Sequence, residues 1–215
     1  MDASSGYQYY LVQQEVVMAE KQSVKNRIVD AAWKLFYEKG YDDTTVDDII
    51  RLSDTSKGSF YYYFSSKDAL LDTLATILDE NYAKLEKELE KHSDMNSFDK
   101  LMYLNYQAHL FMEKKIDVAL VASLYSTQLI AKGARNLLDQ NRTYYKLVNR
   151  IVEEGHIRNQ INREKSVREI ARYYSICERA LVSDWCLNRG EYSLAEYSRE
   201  YMPILMEHFR GEDYE

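Results

Sequence analysis

From Ser23 onward the apolar residues recur at the spacing of a helix face. Ile28, Ala31, Ala32, Leu35 and Phe36 fall at i, i+3, i+4, i+7 and i+8, and Gly40 closes the run, which predicts a first helix. Thr44 and Thr45 each stand three residues before an aspartate, Asp47 and Asp48, a pattern that caps a second helix through Val46, Ile49, Ile50 and Leu52. Ser53, Asp54 and Thr55 make a short polar turn, after which Phe60, Tyr63 and Phe64 mark the inward stripe of a short third helix. Ser65 and Ser66 open a fourth. Its Leu71, Ala75, Leu78, Tyr82, Leu85 and Leu89 alternate in steps of four and three up to Lys91, a length of about 36 Å. Beyond a polar break, further helices are expected over 97–114, 117–132, 135–154, 165–189 and 193–209, with Gly133, Gly155 and Gly190 as stops and Pro203 kinking the last. Residues 1–20 show no clear period and are left unassigned, an added helix and an extension being equally compatible.

Composition sharpens this into an all-α fold. Glycine and proline supply 7 and 1 of 215 residues, far below ordinary usage, which disfavours sandwiches, barrels and other turn-rich folds. No apolar run approaches the ~18 residues of a membrane span and no secretory pattern is visible, so a cytoplasmic location is expected. Cys177 and Cys186 fall on opposite faces of one predicted helix about 13 Å apart, too far to pair. The four histidines lack partners at ligand spacing, so neither a metal nor another cofactor is expected. No nucleophile–base pair or phosphate loop is present either, which argues against an enzyme.

Three helices within about 42 residues, with a four-residue turn between the second and third, have the outline of a helix-turn-helix module. Once Phe60, Tyr63 and Phe64 face inward, the third helix leaves Lys57, Gly58, Ser59, Tyr61 and Tyr62 outside. Gly58 costs a helix roughly 0.5–1 kcal/mol relative to alanine, which close approach of another molecule would justify. Lys57 offers a cation to a phosphate or a guanine edge, Ser59 a small hydroxyl, and the tyrosines flat apolar area tipped with a hydroxyl. A run of three tyrosines is equally the mark of packed aromatics, but a two-turn helix cannot bury every face.

The stretch Ile28-Val29-Asp30-Ala31-Ala32-Trp33-Lys34-Leu35-Phe36, Gly40, Thr44-Thr45-Val46-Asp47-Asp48-Ile49, Ser56-Lys57-Gly58-Ser59-Phe60-Tyr61-Tyr62-Tyr63-Phe64, Lys67 and Leu70-Leu71 resembles the TetR transcriptional regulators over about 50 residues. Glu154-Gly155, Asp184-Trp185 and Gly190 resemble the family less specifically. Two departures stand out: the usual small-Gly-Val turn is Ser53-Asp54-Thr55, where Asp54 tolerates a left-handed backbone, and the first helix is poorer in basic residues than is common. The resemblance implies an N-terminal DNA-binding domain at about 21–81, with its helix-turn-helix at 44–63, and a helical effector-binding and dimerisation domain at 82–212. By position, Lys57, Gly58, Ser59, Tyr61 and Tyr62 would read or brace double-stranded operator DNA, while Thr44, Thr45 and Lys67 would hold phosphates. The implied protein is a homodimeric repressor released from a palindromic operator by a small, mostly apolar or aromatic effector.

The charge balance works against this. Net charge is −7, and residues 1–68 carry 8 basic against 11 acidic side chains. DNA binding then requires local positive potential from Lys25, Arg27, Lys57 and Lys67, with Asp42, Asp43, Asp47 and Asp48 turned aside. An all-helical adaptor that binds protein through its tyrosine face is the alternative reading. In the second domain, Asn105, Gln128 and Asn141 interrupt apolar stripes and, with Tyr125, Tyr144 and Tyr174, are candidates to orient an effector. Each is also compatible with a satisfied buried amide or hydroxyl. The last two helices are apolar on more than one face, which predicts self-association through Leu181, Trp185, Tyr201, Leu205 and Phe209.

Overall fold

The computed structural model describes residues 23–92, 94–130 and 135–212; the expectations for residues 1–20 lie outside them, and that for Gly133 does too. The described residues are almost wholly helical, with a single isolated pairing of Ile161 with Arg210. Two compact units divide the chain, Met1–Thr73 and Leu74–Glu215.

In the first unit α1 (residues 23–39) ends at Gly40, whose φ of +87° is one that side chains with a Cβ rarely adopt. α2 is Val46–Ser53 and α3 is Lys57–Tyr63. Ile28, Ala32, Phe36, Ile49, Phe60, Leu70 and Leu71 are buried, so the spacings above do mark the core, while Tyr63 is only half-buried. Trp33 donates its indole N–H to Thr73 Oγ1 at 3.0 Å. α4, Asp68–Leu89, begins in this unit and supplies the first residues of the second.

The second unit contains α5 (Ser97–Lys115), α6 (Val118–Ile130), α7 (Thr143–Ile157), α8 (Val167–Leu187) and α9 (Leu194–Met206). α5 packs most extensively on α9, and α8 touches α6, α7 and α9. Two expected boundaries shift. Residues 136–138 form only a 3₁₀ turn and Asn141 lies in a polar turn, so the helix expected from 135 begins at Thr143. Gly155 does not stop α7 but lies inside it, where a Cβ would come within 2.6 Å of Ile161. This glycine serves close packing, and Ile161 leads into the pairing with Arg210 beside the last turn. Pro203 sits within α9. No described helix is long and apolar enough to cross a membrane.

Candidate nucleic-acid interface and ligand cavity

The turn between α2 and α3 is built by side chains that suit it. Asp54 takes the left-handed conformation (φ 49°, ψ 53°), and its N–H returns to the Ile50 carbonyl. Ser56 then caps α3, its hydroxyl accepting from Ser59 N–H at 3.0 Å. Phe60 is fully buried and Phe64 nearly so, which pins the inner face of α3 and leaves Lys57 and Gly58 exposed. Tyr61 is 49% exposed and Tyr62 68%. A Cβ on Gly58 would meet nothing closer than Ser56 Oγ at 3.8 Å, so the unit's own packing does not require this glycine. Ser59 is half-buried and shares its hydroxyl with Ser56 at 2.9 Å, which ties it to the cap.

Three of the expected phosphate groups are otherwise engaged. Thr44 is buried, its hydroxyl donating to the Gly40 carbonyl at 2.7 Å and its N–H to the Tyr41 carbonyl. Thr45 is the cap of α2, closing a reciprocal box in which Asp48 N–H meets its hydroxyl and its own N–H meets the Asp48 carboxylate. Lys67 donates to the Tyr41 carbonyl at 2.7 Å, approaches the Asp42 carbonyl and stands 4.2 Å from the Tyr41 ring centroid. It therefore locks the loop after α1. Asp48, expected to turn aside, instead sits on the N-terminus of α2 and pairs with Lys39 and Arg51. The Lys39 contact and the Thr45 bonds hold its carboxyl well below the usual carboxylate range. A helix N-terminus attracts an anion, and here the chain's own carboxylate takes the place.

The second unit holds a cavity among α4 to α8, lined by Leu74, Leu78, Met112, Val121, Leu124 and Val182 with a polar set: Tyr82, His109, Tyr125, Arg142, Tyr144, Ser175, Glu178 and Arg179. Glu178 is buried and accepts from Asn105 Nδ2 at 3.0 Å and from the Tyr144 hydroxyl. Burial outweighs these bonds and raises its carboxyl above the ordinary value. Burial likewise raises the hydroxyls of Tyr82, Tyr125, Tyr144 and Tyr174, and lowers His109 to about 3, leaving a neutral imidazole bonded to Ser198 Oγ. Arg142 reaches Asp79 with two bonds of 3.0 and 3.1 Å and the Ala75 carbonyl at 3.2 Å.

Of the six residues expected to meet an effector, Tyr125 and Tyr144 line this cavity. Asn105 and Tyr174 lie behind it, Tyr174 donating to the Leu101 carbonyl at 2.9 Å. Gln128 braces the segment after α6 through Arg135 and Leu137. Asn141 is exposed and tied to Asp139, because the turn before α7 carries it away from any helix face. Sequence reasoning missed Glu178, His109, Arg142 and Arg179. Glu178 had a readable signal: a lone charge on the stripe of Tyr174, Leu181 and Trp185.

The residues expected at a dimer interface divide. Leu181, Trp185 and Phe209 are buried within this chain, and Trp185 donates to the Tyr192 carbonyl at 3.0 Å. Tyr201 and Leu205 remain exposed, as do Tyr173, Ile176, Leu187 and Ile204 on the same two helices.

Residues 28–74 match the family described as "Bacterial regulatory proteins, tetR family". The chain is 29% identical to the HTH-type transcriptional regulator HbdR of Aromatoleum sp. (strain CIB), across 97% of this chain and 90% of that protein. It is also 28% identical to the uncharacterized HTH-type transcriptional regulator YvdT of Bacillus subtilis (strain 168), across 67% of this chain and 75% of the relative. The helix-turn-helix region of this chain thus matches the TetR family. The relatives it matches are named as transcriptional regulators and not as enzymes, which favours DNA-binding regulation over the adaptor alternative. The fold agrees: the Thermus thermophilus FadR repressor, solved with lauroyl-CoA, superposes with a TM-score of 0.67 at 19% identity, covering 85% of this chain and 93% of that one. FadR from Bacillus subtilis, solved with stearoyl-CoA, gives 0.62 at 20% identity, covering 85% and 97%.

Proposed function

We propose that this regulator is a homodimeric repressor whose α3 enters the major groove of a palindromic operator and which a small, mostly apolar or aromatic effector releases. The observation that carries the reading is the outer face of α3. On a helix capped by Ser56 and anchored by Phe60, the exposed set is one cation, one glycine that the unit's own packing does not require, and two tyrosines. Such a face suits phosphate positioning and apolar base contact together. The exposed apolar residues of α8 and α9 support a two-fold pairing of these helices, and the cavity among α4 to α8 supports the effector. Fold neighbours that hold acyl-CoA add support for a ligand in the helical unit.

The test is selection of DNA fragments by the purified protein, followed by titration of the selected operator. Lys57→Ala should cost ~1 to 3 kcal/mol of discrimination if it reads a base edge, and should weaken all sequences alike if it meets phosphate. Tyr62→Ala removes a packing contact. If both variants bind the selected operator as tightly as the parent, α3 is not the reading helix.

A further inference from the structure

The charges around the cavity are unequally provided for. Arg142 is committed to Asp79 and the Ala75 carbonyl. Arg179 directs its guanidinium to the Tyr145 hydroxyl at 3.3 Å and acts on Glu178 only at longer range. Glu178 itself takes its hydrogen bonds from neutral groups, the Asn105 amide and the Tyr144 hydroxyl. A carboxylate withdrawn from water is costly until a cation meets it. Beside it stand Tyr82 and Tyr144, their ring centroids 5.0 Å apart at 54°, with Tyr125 and Met112 on the same lining. Aromatic rings gathered round a buried carboxylate attract an organic cation through both the charge and the ring quadrupoles. An anion would find one guanidinium already paired and a carboxylate facing it.

Resting on the reading of this cavity as the effector site, we propose that the effector is a small organic cation, a protonated amine or quaternary ammonium on an apolar or aromatic body, with Glu178 meeting its charge. The tyrosines surround the ammonium, and Leu74, Leu78, Val121 and Leu124 receive the body. The cavity is about 60 Å³, room for an ammonium head, while a larger body enters only as side chains shift.

The experiment is calorimetric titration of the full chain with benzyltrimethylammonium and phenethylammonium, each set against neutral 3-phenylpropanol and anionic 3-phenylpropionate. At least one cation should bind tenfold or more tightly than the neutral probe, and Glu178→Gln should abolish that preference. Binding of 3-phenylpropionate or lauroyl-CoA with no binding of either cation overturns the assignment, as does a preference that survives Glu178→Gln. A second readout needs no ligand. The groups facing Glu178 are Tyr82 of α4, Asn105 and His109 of α5, Tyr125 of α6, Arg142 just before α7, Tyr144 of α7, and Tyr174 and Arg179 of α8. Because its folded-state value is raised above 4.5, its contribution to stability is full below that pH and is lost as pH rises. The urea midpoint of Glu178→Gln should therefore gain on the parent between pH 5 and pH 8, and a flat difference counts against an uncompensated carboxylate. Gel-shift assays on selected DNA separate the two ideas. A cation that binds through Glu178 but leaves DNA bound upholds the charge assignment and overturns the regulatory reading. An anion that binds and releases DNA does the reverse.

Discussion

Lys67 shows how little a residue's type says about its employment. A lysine at the start of a helix is an obvious phosphate ligand, yet its ammonium is engaged by two carbonyls and a tyrosine face. Lys67→Met should lower the stability of the free protein by about 1–3 kcal/mol, measured by urea unfolding followed by circular dichroism, because charge-assisted bonds are lost and two carbonyls are stranded. Unchanged stability would return Lys67 to the DNA. His109 gives a pH test. Its folded value, lowered by burial to about 3 from 6.5, means that stability is complete above pH 6.5 and falls as acid charges the unfolded chain first. At about 1.4 kcal/mol per unit, the parent should lose about 2 kcal/mol between pH 6.5 and pH 5 through this residue alone. His109→Gln should not show that loss in paired denaturation curves.

At the scale of elements, α2 and α3 were legible in outline and opaque in chemistry. Spacing located them because Ile49 and Phe60 must be inside, and Asp54 marked the turn because few other residues accept φ near +50°. Thr44 and Thr45 could not be told apart in a sequence; a one-residue step sends one hydroxyl to the Gly40 carbonyl and leaves the other to cap. The segment 135–142 read as helix because Leu137 and Leu138 supply apolar area, whereas Asp139 and Asn141 bond locally and divert the backbone into a turn. Glu178 was overlooked because charge on a buried stripe looks like an exception until its partners are seen. The ion pairs of Asp48 also alter the electrostatics of the reading head. With Lys39 and Arg51 neutralised and Lys67 occupied, Lys25, Arg27 and Lys57 remain, at most 6 cations in a dimer. At about −0.9 per contact, log K against log salt should slope no more steeply than roughly −5. Asp48→Asn, which releases Lys39 and Arg51, should tighten operator binding and steepen that slope. A parent slope of −8 or beyond would show that other cations reach the backbone.

For the whole molecule, the division between buried and exposed apolar residues on α8 and α9 separates folding from assembly. Trp185→Ala should cost ~3–5 kcal/mol of folding stability, since the ring is 4% exposed within one chain. Ile176→Asp together with Ile204→Asp should leave the fold intact and reduce the light-scattering mass from about twice 25.4 kDa to one chain. A parent that scatters as a monomer at micromolar concentration would defeat the pairing. The placement of the two indoles adds an optical consequence. The sequence has 2 tryptophans, Trp33 bonded to Thr73 in the first unit and Trp185 bonded to Tyr192 in the second. Each unit thus carries its own intrinsic fluorophore. Trp33→Phe and Trp185→Phe would yield two single-colour proteins in which the melting of the reading head and of the helical unit can be watched separately, by emission alone, without attaching a dye.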